Sequence, residues 1–156
     1  MIKGGKNLNC IYRCVLIYAD LENNLWIVPT GRSEKMGGAI IGIDIVSGLR
    51  SPYSDDELIS ALKRAMGQCF SMVPDDSLKE SAIERYLKVK GYEKAVKNKK
   101  LIQFEWNIDD GFYITPTKKE KKGYGFLDDM QIALGNNFKD EELVKGINEA
   151  LNLCNI

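Results

Sequence analysis

The sequence predicts an α+β protein in which two tandem β-β-β-α units share one antiparallel sheet. Segment 53–69 reappears 85 positions later as segment 138–154, with a matching acidic start, apolar positions and terminal cysteine. Likewise, Trp26–Pro29 reappears 87 positions later as Tyr113–Pro116. Because strand, proline, glycine and helix follow in the same order in both places, we expect one duplicated unit rather than a chance match of one helix.

The repeated segment has the pattern of an amphipathic helix. Its apolar residues recur with a period near 3.6, which is typical of a helix with one buried face; they are Leu58, Ile59, Leu62, Ala65, Met66 and Cys69. Ser54 followed by Glu57 forms a capping-box pattern, in which each side chain binds a free backbone N–H at the helix start. Lys139 replaces the serine in the second copy, so Asp140 is predicted to cap that helix.

Three strands are predicted ahead of the first helix. Cys10–Ala19 is apolar and β-branched, as expected for a strand covered on both faces. Leu25–Pro29 is predicted to return and to end at its proline. A polar loop, Thr30–Gly38, then leads to a third strand, Ala39–Val46. The first unit therefore spans about residues 10–69.

A helical insert and the second unit complete the single domain. Residues 75–100 hold a second capping pattern, Ser77 with Glu80, and a helix that Gly91 is predicted to stop. The second unit spans about 101–154, with strands at Leu101–Trp106 and Phe112–Thr117. Asp109 and Asp110 precede a glycine between these strands, which is the signal of a hairpin turn.

Composition narrows the possible functions. The chain has 156 residues, 44% apolar and 28% charged, with zero formal net charge. This is ordinary globular composition, and it predicts no broad attraction to nucleic acid or to an anionic membrane. No apolar run approaches the ~20 residues that span a bilayer, and the first residues lack a signal-peptide core. These features predict a cytoplasmic protein.

Residue types also argue against an enzyme. The chain has no histidine, which removes the usual general base and the Ser-His and Cys-His pairs. Its four cysteines form no C-x-x-C pair, so we expect buried reduced thiols rather than a zinc site. Of five carboxylate clusters, three fall at predicted helix starts and one at a hairpin turn, where local backbone chemistry already accounts for them, and none has the ligand spacing of an EF-hand. We therefore predict no catalytic residues, no metal and no cofactor.

Two alternatives stay open at this stage. The loop Gly31–Gly38 contains glycines and Lys35 and invites a phosphate-binding interpretation, as a ligand binder or small enzyme. It lacks the order of a P-loop and leads into a strand, which favours a plain loop. The basic runs Lys97–Lys100 and Lys118–Lys122 suggest a nucleic-acid module, although the zero net charge favours solvated loops.

The duplicated pattern resembles the immunity proteins of bacterial contact-dependent growth inhibition systems. The residues that carry the resemblance are Trp26–Pro29 and Tyr113–Pro116, the glycines after them, and the two helices ending at Cys69 and Cys154. The resemblance covers nearly the whole chain. It implies a protein that binds and inactivates the toxic C-terminal domain of an effector, often a nuclease.

We predict the partner-binding residues from charge and loop position. Exposed acidic pairs are suited to a basic nuclease groove, and polar loop tips are suited to partner contact. The predicted set is Arg32, Glu34, Lys35, Asp109, Asp110, Lys118, Glu120, Asp128 and Asp129. The expected partner is the cognate toxin domain, with neither nucleic acid nor membrane.

Overall fold

The computed structural model describes residues 11–75 and 79–156. The strands are β1 Tyr12–Ala19, β2 Leu25–Ser33, β3 Ala39–Gly42, β4 Ser47–Leu49, β5 Lys100–Asn107, β6 Gly111–Lys119, β7 Tyr124–Phe126 and β8 Ile132–Gly135. The helices are α1 Asp55–Gln68, α2 Ala82–Leu87, α3 Tyr92–Ala95 and α4 Asp140–Leu153, and a 3₁₀ turn covers Asp128–Met130. This is the predicted α+β class in a single domain.

One curled antiparallel sheet contains all eight of these strands. Its main path runs β3-β2-β1-β5-β6-β7, with β4 also paired to β2 and β8 also paired to β6. The strand order is therefore the same on either side of the central β1–β5 pair. Each side contributes four strands rather than the three predicted. On the first side, the strand expected at Ala39–Val46 forms only at Ala39–Gly42, as β3, and an additional strand, β4, follows it at Ser47–Leu49.

Neither strand proline ends its strand, contrary to the prediction for Pro29. On the outer side of β2, residues 25–27 pair with β4 and residues 30–33 pair with β3. Pro29 lies in the gap between these pairings, where its missing N–H costs no ladder hydrogen bond. Pro116 lies in the corresponding gap of β6, between the pairings with β8 and β7. The segment expected as the start of a polar loop, 30–33, is therefore strand.

The two long helices pack on one face of the sheet and enclose the main core. This core draws on both helices and on alternate residues of the central strands, such as Ile17, Ile102 and Phe104. The Ser54 hydroxyl accepts from the Glu57 N–H at 3.1 Å and the Glu57 carboxylate accepts from the Ser54 N–H at 2.9 Å, which confirms the predicted capping box.

The start of α4 differs from the prediction. Lys139 occupies the N-cap position and Asp140 is the first helical residue. The Glu142 carboxylate accepts from the Lys139 backbone N–H at 2.7 Å, which supplies half of a capping box without a serine. Asp140 is instead one of three acidic residues in the first turn, and their negative charges interact favourably with the positive end of the helix dipole.

Two short helices, α2 and α3, lie between α1 and β5, where the sequence predicted one helix. The cap of α2 is Ser81 with Glu84, four residues later than predicted, and Ser77 lies outside the described residues. Helix α2 ends at Leu87 because Lys88 adopts a left-handed conformation, whereas Gly91 begins α3. Both helices cover the second face of the sheet around a smaller core that includes Tyr18 and Leu101.

The cysteines of the described region are buried and free, as predicted. They are Cys14, Cys69 and Cys154, and Cys10 lies outside the described residues. The Cys69 thiol donates to the Cys14 carbonyl at 3.3 Å, and the Cys154 thiol donates to the Leu101 carbonyl at 3.4 Å. Each helix end is thereby joined to a central strand of the sheet in the same way.

Across the described ranges, no helix is both long and apolar enough to cross a membrane.

Candidate partner interface

The second face of the sheet divides into a covered half and a polar half. Side chains alternate between faces along a strand, so β1 and β5 present their second-face residues as directly opposed pairs. Tyr18 opposes Leu101 beneath α2 and α3. Toward the other end of the strands the face becomes polar. We call this region the polar half; it consists of Tyr12, Gln103, Glu105, Asn107, Tyr113 and Thr115.

A carboxylate lies at the centre of the polar half. Glu105 is only 7% exposed. The Tyr12 hydroxyl donates to its Oε1 at 2.7 Å, and the Thr115 hydroxyl donates to its Oε2 at 2.6 Å. The Gln131 side-chain amide donates in turn to the Thr115 Oγ1 at 3.0 Å. Both carboxylate oxygens thus have donors, but those donors are neutral.

Glu105 has no cationic partner within residues 11–75 and 79–156. The ion pairs between described residues that the structure shows join Lys63 to Asp140, Arg85 to Asp44, and Lys119 to Glu93, and none of them involves Glu105. A buried carboxylate without a cation keeps most of its desolvation cost, and hydrogen bonds offset only part of that cost. Among the described residues, the polar half therefore carries a negative charge that no cation pairs with whenever Glu105 is ionised.

The nearby titratable groups respond to this environment. Burial raises the pKa of Glu105, the hydrogen bonds from Thr115 and Tyr12 oppose the rise, and the charge of Asp128 adds to it. Burial also raises the pKa of Tyr113, and the charges of Glu105 and Asp110 contribute to that rise. Asp110 and Asp128 thus lie close enough to act on the two central side chains of the polar half.

Four of the predicted residues border the polar half: two in the β5–β6 turn and two in the 3₁₀ turn. Asp109 and Asp110 occupy the turn between β5 and β6, where the Asn107 side-chain oxygen accepts from their N–H groups at 2.9 and 2.7 Å. Asp128 and Asp129 begin the 3₁₀ turn, and all four aspartates are exposed. The structure thereby places both acidic pairs beside one face.

The loop with Arg32, Glu34 and Lys35 lies at the same end of the sheet as Asp109 and Asp110. Since β2, β1, β5 and β6 are successively antiparallel, the end of β2 and the β5–β6 turn meet at one end. All three of these side chains are exposed. This end of the sheet therefore carries charges of both signs around the acidic turn.

The backbone amides of the β2–β3 loop are engaged inside the protein. The N–H of Met36 donates to the Ser33 Oγ at 3.1 Å, and the N–H of Gly37 donates to the Glu34 carbonyl at 3.2 Å. The N–H of Gly38 donates to the Ser33 carbonyl at 2.7 Å. An anion-binding loop needs such donors directed outward. This arrangement disfavours the phosphate-binding interpretation of Gly31–Gly38.

Lys118 and Glu120 do not join the other predicted residues. They lie at the end of β6 and just after it, at the opposite end of the sheet from the β5–β6 turn. There the loop is attached to α3, because the Glu93 carboxylate accepts from the Lys119 ammonium at 2.5 Å and from the Gly123 N–H at 2.6 Å. The nine predicted residues therefore form two separate groups.

The centre of the polar half was not predicted from the sequence. Glu105 is the one charged residue inside the apolar segment Leu101–Trp106, and period-two alternation places it on the face opposite Phe104. A lone acid at a predicted buried strand position was the available signal. In the described ranges, no group of three or more His, Cys, Asp or Glu residues has an arrangement that would hold a metal ion.

The fold is similar to that of a protein of unknown function, NMB0488, from Neisseria meningitidis. The alignment covers 92% of this chain and 95% of that chain, with a TM-score of 0.69 and 16% sequence identity. At this identity the similarity shows the fold alone. No protein-family model matches the chain, and no curated protein matches it.

Proposed function

We propose that this protein binds and neutralises the C-terminal toxin domain of a contact-dependent growth inhibition effector, and that the toxin is a nuclease. The observation that carries the proposal is the polar half, in which four exposed aspartates border the buried Glu105, a carboxylate that no described cation pairs with. A nuclease binds its substrate through a basic groove, and an acidic face complements such a groove.

The proposal needs a rigid surface and no chemistry. The β5–β6 turn is fixed by the Asn107 side chain, and the 3₁₀ turn is held by the Leu127 N–H, which donates to the Pro116 carbonyl at 3.0 Å. A backbone that is already fixed loses little entropy when a partner binds. In this view the protein acts in the cytoplasm as an inhibitor rather than an enzyme.

We also propose that the scaffold arose by tandem duplication of one strand-and-helix unit. Support comes from corresponding hydrogen bonds. The Thr30 hydroxyl donates to the Cys14 carbonyl and the Thr117 hydroxyl donates to the Leu101 carbonyl. Thr117 and Leu101 are each 87 positions after their counterparts. Each carbonyl also accepts from a helix-end thiol, so two residue types at two positions recur together.

The test begins with the reading frame upstream of the gene. If it encodes a secreted effector that ends in a small toxic domain, that domain should co-purify with the full chain, and expression of the chain should protect cells from it. Failure of both results would refute the proposal.

Substitution then tests the surface. The variant Asp109→Asn, Asp128→Asn, Asp129→Asn should reduce the association rate with the toxin about tenfold at low salt, because border charges mainly steer encounter. The matched control removes three exposed acids elsewhere: Glu22→Gln, Glu141→Gln, Glu149→Gln. Equal effects of both variants would contradict the assignment of this face while leaving toxin binding itself intact.

A further inference from the structure

The formal net charge of this chain is zero, but its positive and negative residues are concentrated in different segments. Residues 79–100 contain eight Lys or Arg against three Asp or Glu, and residues 118–122 contain four against one. These two segments therefore carry a formal charge of +8, and the rest of the chain carries −8, because the total is zero. A domain with such opposed regions presents a different field to each side.

The fold joins the two basic segments. Glu93 in α3 binds both the Lys119 ammonium and the Gly123 N–H of the β6–β7 loop. The Tyr124 hydroxyl, at the start of β7, donates to the Lys99 carbonyl at 2.8 Å, so the chain just after the second segment also contacts the first. We call the result the basic surface; its exposed lysines are Lys79, Lys88, Lys90, Lys94, Lys97, Lys118, Lys121 and Lys122.

Two of the acids in these segments are engaged by the protein itself. Glu84 is buried, and its carboxylate accepts from the Ser81 N–H at 3.0 Å and from the Gly91 N–H at 2.9 Å. Glu93 is engaged by the β6–β7 loop as described above. These two carboxylates therefore have fixed local partners and do little to neutralise the exposed lysines around them.

We propose that the basic surface binds the phosphate backbone of a nucleic acid without reading its sequence. Cores of protein–protein interfaces are depleted in lysine, whereas nucleic-acid interfaces are polar and strongly positive. Lysine acts on phosphate as a point charge and gives little base discrimination. Binding to a membrane surface would require large exposed apolar side chains beside the lysines. In the two segments, only Tyr86 is a large apolar residue with a prominently exposed side chain.

This inference is independent of toxin neutralisation, because the basic surface lies away from the polar half. Helix α3 covers Tyr18, whose hydroxyl lies 2.8 Å from that of Tyr92. The polar half begins further along β1, toward Tyr12. Either surface can fail its test without affecting the other.

The experiment measures fluorescence anisotropy of labelled oligonucleotides of about 20 nucleotides, one single-stranded RNA and one DNA duplex, between about 50 and 200 mM salt. The wild-type chain should bind at low salt and lose about 100-fold in affinity over this range if four phosphates are contacted. The test variant is Lys94→Gln, Lys97→Gln, Lys121→Gln, Lys122→Gln. It should reduce the slope of log affinity against log salt by about 3.

The matched control removes four exposed positive charges from the side of α1 and α4: Lys63→Gln, Arg64→Gln, Lys139→Gln, Lys145→Gln. It should leave the slope unchanged, and circular dichroism should show both variants folded. Absence of wild-type binding at low salt, or an equal loss in both variants, would overturn the proposal. Tighter binding to phosphatidylserine vesicles or to an acidic peptide than to either oligonucleotide would overturn it as well.

Discussion

Replacing Thr30 or Thr117 by valine removes one buried donor from each half of the sheet and changes little else. Both residues are 1% exposed. The Thr30 hydroxyl lies 2.6 Å from the Cys14 carbonyl oxygen, and the Thr117 hydroxyl lies 2.5 Å from that of Leu101. Valine has nearly the same shape and suits a strand, so backbone propensity contributes little to the difference.

The expected loss in the free energy of unfolding depends on which hydrogen-bond donors each carbonyl oxygen still has after the substitution. A buried hydrogen bond contributes about 1 kcal/mol net, and leaving its acceptor unsatisfied adds to the loss. Here each carbonyl retains a thiol donor, Cys69 or Cys154, although a thiol donates weakly. We expect each single variant to lower the free energy of unfolding by about 1.5 kcal/mol. The double variant should lose about 3 kcal/mol, because the two sites share no partner.

Urea denaturation followed by circular dichroism measures these losses, with the m-value as a check that the denatured state is unchanged. Cys69→Ser serves as the control, since the hydroxyl that replaces the thiol can still donate to the Cys14 carbonyl. A loss below about 0.5 kcal/mol at both sites would refute the hydrogen-bond reasoning. A large loss at one site and none at the other would refute the equivalence of the halves.

Three further predictions concern single features. Folding raises the pKa of Glu105, so between the ordinary carboxyl pKa and the raised one the folded state binds more protons than the unfolded state. The free energy of unfolding should therefore fall as pH rises through this range. The Glu105→Gln variant should flatten that part of the stability–pH curve. Ser81→Ala should cost about 1 kcal/mol in urea denaturation, since it removes the α2 cap. Gly111→Ala should cost more than 1 kcal/mol in thermal unfolding, because φ is +76° and a Cβ would lie 2.7 Å from the Gly135 backbone. An unchanged pH profile for Glu105→Gln, or an unchanged free energy of unfolding for Ser81→Ala or Gly111→Ala, would contradict the role given to that residue.

The two long helices and the central strands were predictable from the sequence because their signals are local. The α1 capping box and the period-3.6 stripe act within a few residues of each other, and both appear as predicted. The extent of β2 past Pro29 was wrong, since it depends on which strand lies beside each residue. Only the tertiary structure shows that β4 and β3 leave a gap at the proline. A local rule about proline cannot include the partner strand.

The candidate site was predictable in part for the same reason. Asp109 and Asp110 have a local turn signal, and Asp128 and Asp129 are adjacent charged residues, a residue type that is mostly exposed, so all four were expected at the surface. Their closeness to Glu105 arises from the pairing of β5 with β6 and from the path of the chain after β7. Those contacts join residues far apart in sequence, and no periodicity encodes them.

The opposed charges also change what zero net charge implies for binding. Tyr18 lies beneath α3 and Tyr12 lies in the polar half, six residues apart on β1, which at about 3.3 Å per residue is about 20 Å. The Debye length at physiological ionic strength is about 8 Å, so a partner at one half is largely screened from the charges of the other. Each half therefore attracts a partner according to its own charge. An acidic face suited to a basic toxin and a basic surface suited to nucleic acid are compatible with one neutral chain, and the net charge excludes neither.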